Sequence, residues 1–230
     1  MNKRSNSDVL EMPNYAPSEG SRYFHVPVST LAYWTEEPNV VIKLASNHPP
    51  LLSFKNLAEF YVLEGLRKIH GVKLHRIREA VNDMKKNEGS VYPLADFDIK
   101  TDGKYVLFYR NSKLINATLH GQYEIEECIA TYLKRVDRDP HGIARKIFPF
   151  MKKNELKTGS EPPRIVVIDP NVCFGLPVLC GSRITTAFLA SRYRGGDSLP
   201  AIAKSYARPV GEIKEAIEWE TGREIKDQAA

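Results

Sequence analysis

The residues with chemistry to offer are few and scattered. Gly175 and Gly181 bracket a turn-rich segment that ends in Ser182-Arg183. A phosphate-cradling loop needs its glycines one residue closer together and a Lys followed by Ser or Thr to reach phosphate and metal. Neither condition is met, so the segment reads as a structural turn. Cys173 and Cys180 lie seven positions apart, and no histidine follows His141. A structural zinc needs four ligands, which this pair cannot supply locally, so both cysteines read as small hydrophobes. With Cys128 they make three, which is no disulfide framework. His25, His48, His70, His75, His120 and His141 show no paired metal-ligand spacing. His75 and Glu79 stand four apart, the spacing of a surface pair on a helix. Asp96 and Asp98 could share one strand face with Asp102 near, and metal nucleases use such clusters. Nothing else supports such a site, and an acidic turn is the expectation. No catalytic residue, metal ligand set or cofactor is assigned, and the chain is expected not to be an enzyme.

Charge offers more than chemistry. The 230 residues carry a net charge of +5, with a pI near 9.0, which permits nucleic-acid binding without demanding it. Basic residues gather in 67–86 and again in 135–157. The hydrophobic fraction of 42% and charged fraction of 27% are those of an ordinary globular chain. Its length suits one large domain or two small ones. No apolar run approaches the roughly 20 residues that span a bilayer. No apolar segment backs the first residues either, so no membrane contact and a cytoplasmic location are expected.

The clearest organisation lies in 165–222. An apolar run, Ile165-Val166-Val167-Ile168, is followed by Asp169-Pro170 and then by Gly- and Pro-punctuated turns up to Arg183. Three short helical patterns come next. The first, around Ala187, Leu189 and Tyr193, stops at Gly195-Gly196. The second opens at Asp197-Ser198, with Ser198 as cap and Pro200 near the first helical position. It should bury Leu199, Ile202, Ala203 and Tyr206. The third runs over 210–219 with Ile213, Ala216, Ile217 and Glu220 on one side. Three helices joined by tight turns outline a helix-turn-helix unit. A linker rich in Lys, Gly and Pro is expected over 151–164, and a tail over 223–230.

Residues 15–150 read as the other domain, after a mobile tail over 1–14. Pro17 and Glu19 suit the first turn of a helix, which Gly20 should weaken slightly. Tyr23 and Phe24 close it. His25-Val26 turns the chain, and Pro27 opens a second helix with Leu31 and Trp34 inward. Residues 40–42 predict a strand that Pro49-Pro50 ends. Residues 54–69 and 73–86 predict an antiparallel helical hairpin. The first begins at Ser53 or Asn56, places Leu57, Phe60, Tyr61, Leu66 and Ile69 inward, and ends at Gly71. The second places Leu74, Ile77, Val81 and Met84 inward. Residues 93–119 predict a small antiparallel sheet. Residues 124–135 predict a short helix and 143–150 a returning strand. The fold class is therefore α+β, mainly helical.

Two resemblances extend this reading. Asp169-Pro170, Gly175-Leu176-Pro177-Val178, Gly181-Ser182-Arg183-Ile184 and Gly196-Asp197-Ser198 resemble a C-terminal antitoxin-like domain of VapB-like proteins, a family first described only as a domain of unknown function. Phe174 and Cys180 depart from its usual residues. Tyr15, Tyr23, the turn at His25-Val26-Pro27, and Ser29-Thr30-Leu31 ending in Trp34 resemble the N-terminal half of MerR-like winged-helix domains, with 35–54 as the wing. That resemblance implies DNA contacts from Arg22, Ser29, Thr30, Tyr33 and Lys43. Arg and Lys supply most guanine readout and phosphate affinity, yet between Arg22 and Lys43 there is neither.

Together the resemblances imply the antitoxin of a bacterial toxin–antitoxin pair. Its partner would be a PIN-type ribonuclease toxin, and a homodimer would repress its own operon through operator DNA. Arg67, Lys73, Arg76, Arg78, Arg183 and Arg192 are the candidates for binding the toxin or forming the dimer, because basic surfaces suit an acidic cleft. The alternatives are a free-standing MerR-like transcriptional regulator without a toxin, and an interaction protein with degenerate helix-turn-helix folds.

Overall fold

The computed structural model describes residues 6–38, 40–68, 73–89, 91–96, 133–150 and 163–225. The chain divides into two compact units, Met1–Ile147 and Phe148–Ala230. Both combine helices with short antiparallel strand pairs, an α+β composition.

The first unit opens with a helix where the sequence suggests a tail. Helix α1 spans Asn6–Glu11, and it is held because Leu10 is buried and Glu11 reaches Lys55 at 3.0 Å. Helices α2, Pro17–Tyr23, and α3, Val28–Thr35, follow as expected. Ala16 has no side chain to cap α2, but its N–H donates to the Glu19 carboxylate at 2.7 Å. His25 takes a left-handed φ of 53° in the turn between them. Ser21 closes that turn by donating its hydroxyl to the Val26 carbonyl. Gly20 turns out to be a packing necessity. A Cβ there would meet Leu52 Cδ1 at 3.0 Å and Leu57 Cδ2 at 3.2 Å.

Residues 40–42 are not a strand. The amides of Val41 and Ile42 both donate to the Trp34 carbonyl, at 2.8 and 3.1 Å, so they fold back on the end of α3 with both side chains buried. The strands lie further on. β1, Ser46–Asn47, pairs antiparallel with β2, Pro50–Leu51, so Pro49-Pro50 sits inside the hairpin and ends nothing. Ser53 and Asn56 then cap α4, Phe54–Lys68, reciprocally: the Ser53 hydroxyl accepts from the Asn56 amide at 3.2 Å, and Asn56 Oδ1 accepts from the Ser53 amide at 3.1 Å. Such a cap is worth about 1 kcal/mol. Residues 54–66 are buried on every face, so α4 is a central helix and not an amphipathic one. Phe24, Trp34 and Phe60 stack around it, with centroids 5.1 Å apart for Trp34–Phe60 and 5.5 Å for Phe24–Phe60.

Helix α5, Leu74–Glu88, buries Leu74, Ile77 and Val81. The end of the expected α4 pattern at Ile69 and Gly71, the sheet over 97–119 and most of the helix over 124–135 lie outside the described residues. Leu133 and Lys134 are helical. Strand β4, Ala144–Ile147, meets the expectation of a strand there, and its partner β3, Val136–Arg138, was not anticipated. Asp139 builds the turn between them, accepting from the amides of His141 and Ile143 and from Arg145.

In the second unit, strand β5, Val166–Val167, pairs antiparallel with β6, Val178–Leu179. Phe148, Val167 and Val178 form a buried cluster against which Cys173 and Cys180 pack half-buried. Helices α6, Thr186–Arg194, α7, Leu199–Tyr206, and α8, Val210–Thr221, follow. Thr185 caps α6 and Ser198 caps α7. Ala207, with a left-handed φ of 50°, ends α7. Ile202, Ala203, Ile213, Ala216, Ile217 and Trp219 fill the core, whereas Leu199 and Tyr206 are only half-buried. Residues 151–162 of the expected linker and 226–230 of the expected tail lie outside the described residues. The Ile225 amide is tied back to Glu218 at 2.8 Å.

Candidate interaction surfaces

Helix α3 is the element a DNA-binding reading depends on. Leu31 and Trp34 anchor it inward, which leaves Val28, Ser29 and Tyr33 exposed and Thr30 half-buried. Tyr33 is 52% exposed. Arg22 is exposed on α2, its guanidinium 5.2 Å from the Tyr23 ring centroid. Lys43 is exposed, and its carbonyl accepts from Asn56 Nδ2 at 2.9 Å. Five residues are thus brought to the α2–α3 side of the unit with two cations among them, both off α3. The exposed face of α3 can make van der Waals and hydroxyl contacts. It carries no side chain suited to bidentate guanine readout.

Behind this surface the first unit buries charge. Lys55 Nζ reaches Asp96 Oδ2 at 2.8 Å and Glu11 Oε1 at 3.0 Å, and lies 4.8 Å from the Tyr92 ring centroid. Burial pulls the Lys55 pKa down most strongly, but the hydrogen bonds from Asp96 and Glu11 together carry it above its ordinary value. Burial raises Asp96 against the pull of Lys55. Glu59, one turn along α4, is pushed up to about 8 by burial, with Lys85 opposing. Arg138 is lowered to about 10 by burial, with Asp96 opposing. Arg135 is fully buried. Lys55, Glu59 and Arg135 were missed from the sequence, because a charged residue inside an otherwise apolar helix is ordinarily read as an outward face. Of the basic residues expected to meet a toxin, Arg67 and Lys73 are exposed and Arg78 is half-buried. The Arg76 side chain lies outside the described residues.

The second unit holds the most exposed large apolar side chain among the described residues, Phe174. The chain enters a 3₁₀ turn at Cys173–Gly175 with φ of 47°, 57° and 80° at three successive residues. Only glycine adopts this region at no cost, and an L-residue pays about 1–2 kcal/mol there. The turn is nevertheless built. Asp169 accepts from the Asn171 and Val172 amides, Gly175 donates to Val172 and Leu176 to Cys173, and the Cys173 thiol donates to the Arg183 carbonyl at 3.4 Å. It holds Phe174 at 87% exposure, and Leu176 and Phe188 are also exposed. The sequence reading took this segment as a turn but did not see that it presents an aromatic. The signal was a Phe immediately before a Gly in a segment with no helical or strand period.

Arg183 is exposed beside this turn. Arg192 is half-buried and already engaged: its Nε donates to Asp197 at 2.6 Å and its NH1 to the Tyr206 hydroxyl at 3.3 Å. Tyr206 and then Asp197 hold its pKa above the ordinary arginine value. Arg208 donates to the Cys180 carbonyl at 2.8 Å and pairs with Glu212 at 2.9 Å. Two of the arginines in this unit are therefore spent on its own fold. The Glu220 carboxylate accepts from the Thr186 hydroxyl at 2.6 Å, at the positive end of the α6 dipole.

Residues 166–219 match the family described as "Protein of unknown function (DUF433)". The match runs from β5 to Trp219 and includes the Cys173–Gly175 turn, Arg183, Arg192 and all three helices up to the last turn of α8. Over a longer span the chain is 29% identical to a protein of Mycobacterium tuberculosis strain H37Rv whose name designates it a candidate antitoxin, VapB45. That similarity covers 91% of this chain and 94% of the relative. The X-ray crystal structure of Rv2018 from Mycobacterium tuberculosis is similar with a TM-score of 0.68 and 28% identity, covering 90% of this chain and 98% of that one.

Among the described residues no three His, Cys, Asp or Glu side chains are grouped to hold a metal ion, and no helix is long and apolar enough to cross a membrane. Asp96, the described member of the acidic trio, is bound to Lys55. Asp98 and Asp102 lie outside the described residues.

Proposed function

We propose that this chain is the antitoxin of a bacterial type II toxin–antitoxin pair. It binds and neutralises a PIN-type ribonuclease in the cytoplasm, and as a homodimer it represses its own operon by binding operator DNA. It acts by contact and is not an enzyme. The observation that carries this reading is similarity from end to end, over 91% of this chain and 94% of the relative, to a protein named as a candidate antitoxin. End-to-end similarity matters because an isolated shared domain transfers a fold more safely than a role.

The two units divide the work in this reading. The α2–α3 unit, whose sequence resembles a MerR-like winged helix with residues 35–54 as the wing, serves the operator. The second unit and the basic residues Arg67, Lys73, Arg76 and Arg78 serve the toxin. The end-to-end similarity to a protein named as a candidate antitoxin speaks against a free-standing regulator.

The test is co-expression with the PIN-type ribonuclease of the neighbouring reading frame. The expected result is a complex that survives high salt, with relief of the growth arrest the nuclease causes alone. No complex and no relief would overturn the reading. Operator binding is checked separately by titrating the promoter fragment at several salt concentrations, where a homodimer contacting several phosphates loses affinity steeply as salt rises.

A further inference from the structure

We propose that the left-handed turn at Cys173–Gly175 anchors a docking surface for a partner protein that presents an apolar pocket rimmed by carboxylates. This rests on the antitoxin reading and identifies the toxin as that partner. Three observations converge. First, the turn is strained at two non-glycine residues and yet hydrogen-bonded from both sides, so the fold spends stability to hold Phe174 outward at 87% exposure. A core-filling or solubilising role would do neither.

Second, the neighbouring exposed groups are apolar as well. Leu176 precedes Pro177, whose carbonyl accepts from the Thr186 amide at 3.0 Å, and this seats the turn against the start of α6, where Phe188 is 50% exposed. The Phe188 ring lies against Tyr206, with centroids 6.4 Å apart, so the exposed apolar groups belonging to the turn itself are Phe174 and Leu176. Third, the stretch that carries them is mainly basic. From 163 to 208 the unit has six Arg or Lys against two Asp, while α8 has four Glu against one Lys. Arg183, whose carbonyl accepts a hydrogen bond from the Cys173 thiol, is exposed at the edge of the turn. An aromatic anchor with an arginine at its rim has the make-up of a protein-interface hot spot. Single-stranded nucleic acid would need a track of available cations along the aromatics, and here Arg192 and Arg208 are committed to Asp197 and Glu212.

The experiment compares full-length wild-type chain with Phe174→Gly and Arg183→Glu, each titrated against the PIN-type ribonuclease of the neighbouring frame and each melted alone. Phe174→Gly is chosen because glycine accepts the left-handed backbone, so its Tm should equal or exceed wild type. Its affinity should fall roughly thirtyfold or more, the loss of a buried aromatic anchor. Arg183→Glu should weaken binding and flatten its salt dependence. Wild-type affinity in Phe174→Gly would overturn the proposal while leaving the antitoxin reading intact. If the wild-type chain itself fails to bind the nuclease, the antitoxin reading falls, and this proposal with it. A titration with labelled single-stranded RNA completes the set: RNA affinity that drops in Phe174→Gly while nuclease affinity stays would overturn the proposal in favour of a nucleic-acid surface.

Discussion

Among the described residues, the first unit buries cations and carboxylates together, whereas the buried charges of the second are all carboxylates and its most exposed large apolar side chain is an aromatic on a strained turn. In the first, Lys55, Glu59, Glu64 and Arg135 are buried beside the aromatic stack of α4. In the second, the core is Ile202, Ile213, Ala216, Ile217 and Trp219, while Phe174 and Phe188 face solvent. The two patterns answer different demands. Buried ions hold elements distant in sequence in one geometry, because each charge stays satisfied only if its partner stays in place, and this specificity is gained at a cost in desolvation. An apolar three-helix core is stable enough on its own to support a strained, outward-facing turn. The comparison teaches that buried ion pairs tie together distant elements in one unit, while in the other a small helical core carries a strained turn.

The contrast can be broken by removing a charge from one core and a branched side chain from the other. Trp34 and Trp219 are the two tryptophans, one in each unit, so Trp219→Phe and Trp34→Phe backgrounds report on each unit separately by fluorescence. The largest effect is expected for Lys55→Ala, which removes the cation that Glu11 and Asp96 share; urea unfolding followed through Trp34 should show a loss of about 4 kcal/mol. Trp219 should not register it. Ile217→Ala should cost about 3 kcal/mol in the second unit, followed through Trp219, with no dependence on pH across the neutral range.

Titration sharpens the comparison further. The folded-state pKa of Glu59 is raised from an ordinary 4.5 to about 8, so the folded first unit holds a proton that the unfolded chain gives up. The stability linked to it is fully present below about pH 4.5, falls as pH rises, and is gone above about 8. Lys85 opposes the shift and Asp96 adds to it. Glu59→Gln should flatten this window and raise the stability of the first unit at pH 8.5 by about 2 kcal/mol, read from paired unfolding curves at pH 5 and 8.5. An unchanged slope would mean that Glu59 is ionised inside the fold. The smallest effect is expected at Gly20→Ala. Helix propensity favours the change by about 1 kcal/mol, but Leu52 and Leu57 are buried and have no room to yield, so thermal melting should show a net loss of about 1 kcal/mol.

How much of this was legible depended on whether local signals decided the structure. The caps at Ser198 and Ser53, the turn at His25, and the core positions Ile213, Ala216 and Ile217 all follow from short-range chemistry, and all appear. Residues 40–42 have strand-forming side chains, yet the amides of Val41 and Ile42 are taken by the Trp34 carbonyl, a partner several residues back that no propensity reports. The burial of Lys55 depends on Glu11 and Asp96, 44 and 41 positions away, and so could not be read from α4 alone. Helix α1 was invisible for the same reason: a short polar segment is ordered only by what Leu10 and Glu11 find elsewhere. The exposed side of the candidate site was the hardest. Arg192 looked available in sequence and is engaged, while Phe174 looked like turn filler and is the most exposed large apolar side chain described.

The bond from Arg208 to the Cys180 carbonyl has a consequence for how the second unit comes apart. Cys180 in turn donates its amide to Ile165, so one guanidinium links the bend between α7 and α8 to the β5–β6 pair. Opening the hairpin strips a partner from the bend, and opening the bend strips one from the hairpin. Amide hydrogens of Leu179, Cys180 and the α7–α8 bend should therefore exchange with solvent deuterium at one common rate, as a single opening event, and a protease should find either the whole unit closed or the whole unit open.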